Sequence, residues 1–425
     1  MKRSIDALLL CCALLLTHSL HAEQIRDYYA EPGINPFKNT LDQSFHEQID
    51  PFGGTLQLKY QDIKIPGNGG MDINIYRTYT SMQEKLQPHT IMGQGWTMHL
   101  GRIVVNAADQ AKMCSQGNYS ISTKDNPSLE LPDGGRELLV LDMAHNYLLT
   151  RSRWKARCEI GLSGMIVTSP QGTEYLMDQY EYNNGTVSYY TSKITDLNGN
   201  TINVNYKTGF GFTYIDTITS SDGRLVQFSY VDENSEQIRL SAISANGQTW
   251  QYSYIPVPTD NTFKYHLARV TRPDKLYWQY DYYSGLTGLD QAGNFSLAKV
   301  TYPYGGTIDY TYQKVTFDPQ PLITTLPTTA VATKIIGGPG ITPGTWSFKF
   351  QPAISVDVNN YLDVTTVTSP NGKYVYKHFG YSKAGVDQLW RVGLLEESEI
   401  YDLNNNLLQK QTSTWDKQAI SNENY

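Results

Sequence analysis

The chain has 425 residues, with 34 Lys+Arg against 41 Asp+Glu and a net charge of -7. Only 18% of residues are charged, and 32 tyrosines stand against 12 phenylalanines. The mild acidity argues against a broad nucleic-acid surface, and the wealth of aromatics argues against disorder.

Met1-Lys2-Arg3 precedes an apolar run from Ala7 to Leu16 and a polar stretch ending at Ala22. A basic start, an apolar run and a small residue before Glu23 predict a secretory signal peptide over residues 1–22. The run falls short of the about 20 apolar residues that span a bilayer, and no later stretch reaches that length. Cys11 and Cys12 lie inside the signal, so export leaves Cys114 and Cys158. In an oxidising compartment this pair reads as one disulfide, with two buried free thiols as the alternative. A bridge would contribute about 3–4 kcal/mol by constraining the denatured chain. Residues 23–45 read as a linker.

Residues 46–165 precede a repeat. Two degenerate copies come first, LELPDGGRELLVL (Leu129–Leu141) and VTSPQGTEYLMDQ (Val167–Gln179). Over 166–317 the pattern sharpens in ITDLNGNTINVNY (Ile194–Tyr206), ITSSDGRLVQFSY (Ile218–Tyr230), ISANGQTWQYSY (Ile243–Tyr254), VTRPDKLYWQYDY (Val270–Tyr282) and VTYPYGGTIDYTY (Val300–Tyr312). VTSPNGKYVYKHF (Val367–Phe379) repeats it later. The turn positions are Gly172, Gly199, Gly223, Gly247, Lys275, Gly305 and Gly372, with 24 to 30 residues between neighbours up to Gly305. An aromatic sits seven residues after the turn: Tyr206, Tyr230, Tyr254, Tyr282, Tyr312 and Phe379. Glycine supplies the positive φ of a hairpin turn. The third, fifth and seventh residues after each turn share one apolar or aromatic face, the mark of a half-buried strand. One hairpin cannot bury such a face alone. The units are therefore predicted to stack edge to edge into a long curling sheet, making the fold all-β.

The stretch 318–344 is rich in Pro, Gly and Thr and reads as a connector with a strand at Val331–Ile336. Residues 345–425 resume the repeat and stop in mid-array. Within them Ala384–Tyr401 fits neither strand nor helix period well, so a short helix competes there.

These repeats with their flanks resemble the Rhs (rearrangement hotspot) or YD-repeat family. Tyr401-Asp402-Leu403-Asn404-Asn405-Asn406-Leu407 is similar to the eponymous unit, and Asp50–Ser81 with Gly93–Ile103 resembles the segment where an Rhs shell begins. The resemblance covers roughly 45–425. It implies a spiralling β-shell that encloses a C-terminal toxin or effector released by a self-cleaving segment. This sequence carries neither, and its hairpins are few, so it reads as a truncated or short form making a partial, open shell. The partner so implied is a downstream Rhs or effector polypeptide.

No residue pattern points to catalysis or a cofactor. Gly-x-Ser-x-Gly and His-Glu-x-x-His are absent, and the six histidines outside the signal show no paired spacing. Asp196-x-Asn-x-Asn and Asp402-x-Asn-x-Asn open like calcium loops but lack Gly at the sixth position and Glu at the twelfth, so hairpin turns explain them better. Pro66–Gly70 reads as an inter-strand loop. Glu130, Glu174 and Asp309 read as solvent-facing alternates on strands. Arg151, Arg153, Lys155 and Arg157 alternate on a predicted strand, either guarding a sheet edge or binding an anion. The leading reading is a non-catalytic exported scaffold. The alternative is a cell-surface glycan-binding module that uses rows of tyrosine, whose ring can stack while its hydroxyl bonds. Burial of Tyr206, Tyr230, Tyr254, Tyr282 and Tyr312 would favour a packing role instead.

Overall fold

The computed structural model describes residues 47–81, 91–107, 127–142, 147–158, 164–183, 185–257, 265–283, 295–317, 326–353, 361–380, 382 and 391–416. The predicted signal peptide and linker, Cys114, residues 384–390 and residues 318–325 of the predicted connector lie outside them. The described chain is almost entirely β-strand, as expected, with one short 3-10 turn at Asn68–Gly70. Where a helix competed, Leu395–Tyr401 is a strand. The connector's predicted strand is longer than expected, running Leu326–Gly337.

Three bodies of sheet share the chain. The first is a four-stranded antiparallel sheet of Glu47–Ile49, Leu56–Ile65, Ile73–Thr80 and Trp96–Thr97, the N-terminal sheet. The second is a ring. From Arg102–Asn106 through Ser128–Glu130, the successive segments Arg136–Leu138 and Val140–Asp142, Tyr147–Leu149, Lys155–Cys158, Met165–Thr168 and Glu174–Asn183, antiparallel pairing leads to Thr186–Thr195. Thr186–Tyr190 then pairs back onto Arg102–Asn106. The ring holds its own core of Ile103, Val105, Leu129, Leu148, Met165, Val167, Met177 and Val187.

The remaining length of Thr186–Thr195 pairs onward, Lys193–Thr195 with Thr201–Asn203, and starts the third body. This is the repeat array, in which each strand from Thr201–Gly209 to Leu407–Thr412 pairs antiparallel with the next in sequence. Among the described residues no ladder joins Leu407–Thr412 back to the ring. The array's end has nonetheless come round, since the Arg151 guanidinium lies 5.9 Å from the Trp415 ring.

The turn residues adopt the left-handed backbone that such corners require. Gly172, Gly199, Gly223, Gly247 and Gly305 have φ between +72° and +90°, Gly372 has +149°, and Lys275 takes +70° without being glycine. Inward-facing residues alternate as the pattern predicts. Ile202, Val204, Val226, Phe228, Tyr252, Tyr280, Ile308 and Tyr310 are buried, and the seventh-position tyrosines are half-buried against the same core.

At the rim away from the turns most first strands carry a β-bulge, Leu362–Ser369 being an exception. Pairing skips one residue at Ser192, Asp216, Ser241, Ala268, Ala298, Ala332 and Glu396. A bulge bends the strand and breaks the ladder locally, which freed backbone groups must repair elsewhere. The seventh-position tyrosine does so for the carbonyl of the residue before the bulge. Tyr206 donates to Thr191 O at 2.8 Å, Tyr230 to Ile215 O at 2.6 Å, Tyr254 to Leu240 O at 2.8 Å, Tyr282 to Leu267 O at 2.8 Å and Tyr312 to Leu297 O at 2.8 Å. Two later units depart from tyrosine. Val331 O receives Gln313 Nε2 at 3.4 Å, and Leu395 O receives the indole N–H of Trp415 at 2.7 Å.

The two kinds of turn residue make opposite predictions. Lys275→Gly relieves a left-handed conformation that costs a side chain about 1–2 kcal/mol, less the roughly 0.5–1 kcal/mol of glycine's chain entropy. It is expected to raise the urea midpoint, while Gly199→Ala lowers it. Equal effects from both would reject turn conformation as the cause.

Candidate functional site

The concave face of the array is the place where the three bodies meet, and it is filled from within the same chain. Leu56, Leu58, Tyr60, Ile63, Ile65, Ile73, Ile75, Tyr79 and Trp96 of the N-terminal sheet share one core with Ile218, Ile243, Leu267, Val270, Val300 and Val367 of the array.

Charges lie in the middle of this core. On Ile73–Thr80 the inward face reads Ile73, Ile75, Arg77, Tyr79, and Arg77 is wholly buried. Its guanidinium pairs with Asp62, the residue skipped between Gln61 and Ile63 in the opposite strand. The array closes the pair from the other side: Arg77 donates to Tyr280 OH at 2.8 Å, and Tyr252 OH donates to Asp62 Oδ2 at 2.8 Å. The rings of Tyr60 and Trp278 each lie 4.6 Å from the guanidinium. Burial then holds the tyrosine hydroxyls protonated, with Tyr280 pushed up to about 12. A second buried pair, Lys334 to Glu47 at 3.2 Å, joins the array to the first strand of the N-terminal sheet.

Beside the ring is a small cleft lined by His99, Arg102, Glu181, Tyr190, Tyr206, Thr213 and Ile215. Its volume of about 40 Å³ suits a few water molecules. Arg102 donates to Glu130 Oε2 at 2.6 Å and to Tyr190 OH at 3.2 Å. Burial alone would raise the Glu130 carboxyl, but Arg102 and Arg136 hold it well below the usual range. Glu181 accepts the Thr213 N–H at 2.6 Å, tying one hairpin of the ring to one of the array. Burial pushes Glu181 up to about 7, against that hydrogen bond and Arg102. Burial also depresses His99 to about 3, with help from Arg102, and His266 and His378 to about 4.

The residues singled out by the repeat pattern take definite places. Tyr206, Tyr230, Tyr254, Tyr282 and Tyr312 pack inward with their hydroxyls bonded to backbone. Phe379 is buried with Phe52 and Phe317 in a separate cluster. Tyr401 donates to Glu399 at 2.8 Å, and Asp402 caps its own turn, accepting the N–H groups of Asn404 and Asn406. Asp196 does the same for Asn198 and Asn200. Cys158 is disulfide-bonded.

Two expectations are corrected. Glu130 does not face solvent: it is buried because two arginines compensate its charge. The basic run does not form one strand, since only Lys155 and Arg157 lie on Lys155–Cys158 while Arg151 belongs to a turn and Arg153 takes φ +69°. That strand pairs on both sides and guards no edge; Lys155 stands over the Tyr147 ring, and Arg157 reaches Glu174 at 3.5 Å. The repeat pattern did not single out Asp62, Arg77, Glu181 or Trp415. For Asp62 and Arg77 a signal existed, because both interrupt an apolar phase.

No family model matches the sequence, and no curated protein does. Among solved structures, a Tc holotoxin pore of Photorhabdus luminescens is 11% identical with a TM-score of 0.36, matched over 92% of this chain and 25% of that one. A TcdB2–TccC3 crystal structure is 10% identical with a TM-score of 0.35, over 87% and 30%. The N-terminal domain of the effector SpvB from Salmonella typhimurium is 12% identical with a TM-score of 0.16, over 69% and 95%. The chain thus spans about a quarter to a third of the two toxin chains, and at these scores no family is assigned.

Two measurements test the electrostatics. Arg77→Met strands Asp62 without its partner and is expected to cost about 3–5 kcal/mol in urea unfolding, whereas Arg77→Met with Asp62→Leu costs much less; equal losses would count against the pair. The depressed histidines bind protons in the unfolded chain first, so acidification below pH 6.5 destabilises. Raised Glu181 acts oppositely, holding its proton up to about pH 7 while the unfolded group ionises from about 4.5. Glu181→Gln is therefore expected to steepen the loss of stability on acidification through that window. An unchanged slope would refute the assignment.

Proposed function

We propose that this chain is an exported, non-catalytic scaffold of the Rhs/YD-repeat type, working as a structural component of a toxin-associated assembly. The observation that carries this reading is the concave face: the seventh-position tyrosines serve packing and the repair of a bulge, and the face is filled by residues 47–81 and 91–101 of the same chain. The buried polar clusters also serve structure. Arg77, Asp62, Glu130 and Lys334 are tied to partners inside the core, and the Glu181 cleft has room for water rather than a sugar ring. Among the described residues no three His, Cys, Asp or Glu side chains group as a metal site, and no helix is long and apolar enough to cross a membrane.

The glycan-binding alternative loses its main support, because the five repeat tyrosines direct their hydroxyls to main-chain carbonyls. A partner would be another polypeptide of the assembly, docking on outer strands or rims, since the inside is taken.

The test has two arms. N-terminal sequencing of protein recovered outside the cytoplasm is expected to begin at Glu23, whereas a start at Met1 in an intracellular fraction would overturn export. The mature protein is expected to be silent on a glycan array and in glycosidase and peptidase assays. Turnover abolished by Glu181→Gln would overturn the scaffold reading in favour of an enzyme.

A further inference from the structure

Each bulge frees an N–H as well as a carbonyl, and in four units that N–H points at the N-terminal segment. Thr191 N donates to Gly101 O at 3.1 Å, Leu240 N to Ile91 O at 3.0 Å, and Val331 N to Gly54 O at 2.9 Å. Leu297 N donates to Tyr79 OH at 3.1 Å. Four bulges of the array, from Thr186–Thr195 to Leu326–Gly337, are thus sealed by acceptors of one N-terminal segment.

Further contacts join the same two bodies. Trp96 donates to Tyr282 OH at 2.8 Å, and Tyr282 in turn donates its hydroxyl proton to the bulge carbonyl of Leu267. Gln94 N donates to Tyr265 O at 3.0 Å. The backbones approach so closely that side chains are excluded: a Cβ on Gly54 would collide with Ala330, and one on Gly93 would stand 2.8 Å from Leu267 N.

From these four shared bonds and the common core we infer that residues 54–81 and 91–101 are a built-in assembly template, on which the hairpins of the array acquire their bulges and curvature. The bulges give the direction: array hairpins also pair locally, but in four of them the inward N–H is satisfied only where an acceptor of the N-terminal segment is already in place. Leu56–Ile65 and Ile73–Thr80 are joined by a short connection and pair locally, so they form without long loop closure. A bulged array without the segment would leave a row of inward N–H groups unpaired and its apolar face wet. The segment supplies acceptors and an apolar surface at fixed spacing, and each hairpin that docks presents an edge to the next.

The experiment uses the full mature chain and one mild variant, Tyr79→Phe, which removes an acceptor and keeps the ring. Native-state hydrogen exchange is expected to accelerate at least about tenfold at the Leu297 amide, the loss of one buried hydrogen bond, with little change across Leu56–Ile65. In pulse-labelled refolding, Leu56–Ile65 and Ile73–Thr80 are expected to gain protection before Leu297–Thr301 and Thr307–Phe317. Gly54→Ala is expected to delay protection of Leu326–Gly337 more than that of the N-terminal sheet; if that variant fails to fold, the other two readouts stand by themselves. Array strands protected ahead of Leu56–Ile65, or a Leu297 amide indifferent to Tyr79→Phe, would overturn the template.

Discussion

Everything in this molecule turns on a main-chain problem at the bulges. A flat ladder of hairpins would satisfy its own hydrogen bonds but would not curl. Bending it breaks a pairing in most units, and a buried amide left unpaired costs about 1–3 kcal/mol. The chain answers from opposite sides: a tyrosine hydroxyl from the following strand, and, in four of the units, an acceptor of the N-terminal segment from within. Tyrosine suits the first role because its ring fills the layer between strands while its hydroxyl reaches a carbonyl. The abundance of tyrosine and the curvature of the sheet are one fact seen twice.

The buried Arg77–Asp62 pair adds a second tie between the N-terminal sheet and the array. A dry ion pair rarely adds much stability over an apolar replacement, but it is intolerant of misplacement. Arg77 and Asp62 are satisfied only when Tyr252 and Tyr280, from two different hairpins, arrive together. That makes the pair a check on register, where purely apolar contacts between Ile75 or Leu58 and the array would accept a slip.

The hairpins, their turn positions and the inward stripe were legible in the sequence, since Asn-Gly and Asp-Gly punctuation and period-two alternation are local signals. Bulges were not. Ala268, Ala298, Ala332 and Ser241 are ordinary small residues in a strand, and nothing beside them announces a skipped pairing. The acceptors on Gly54, Ile91 and Gly101 are carbonyl oxygens, which every residue has, so their role leaves no side-chain trace. Trp415 replaced a tyrosine at a different spacing and escaped the pattern. Arg77 could have been found, as a charge on the apolar face Ile73-Ile75-Arg77-Tyr79. Glu130 was misread because alternation predicts a face but not whether an arginine waits on the neighbouring strand.

The spacing between bulges has a consequence for how such a chain can change. From Ser192 to Tyr206, Asp216 to Tyr230, Ala268 to Tyr282 and Ala298 to Tyr312 the interval is 14 residues, and from Ser241 to Tyr254 it is 13. From each tyrosine to the next bulge it grows along the array, from 10 between Tyr206 and Asp216 to 20 between Tyr312 and Ala332. The hairpin is thus a near-constant cassette and the rim connection an elastic spacer. New sequence can be spliced into those spacers while the seal inside stays in step, which makes that rim the natural place for one lineage to diverge from another.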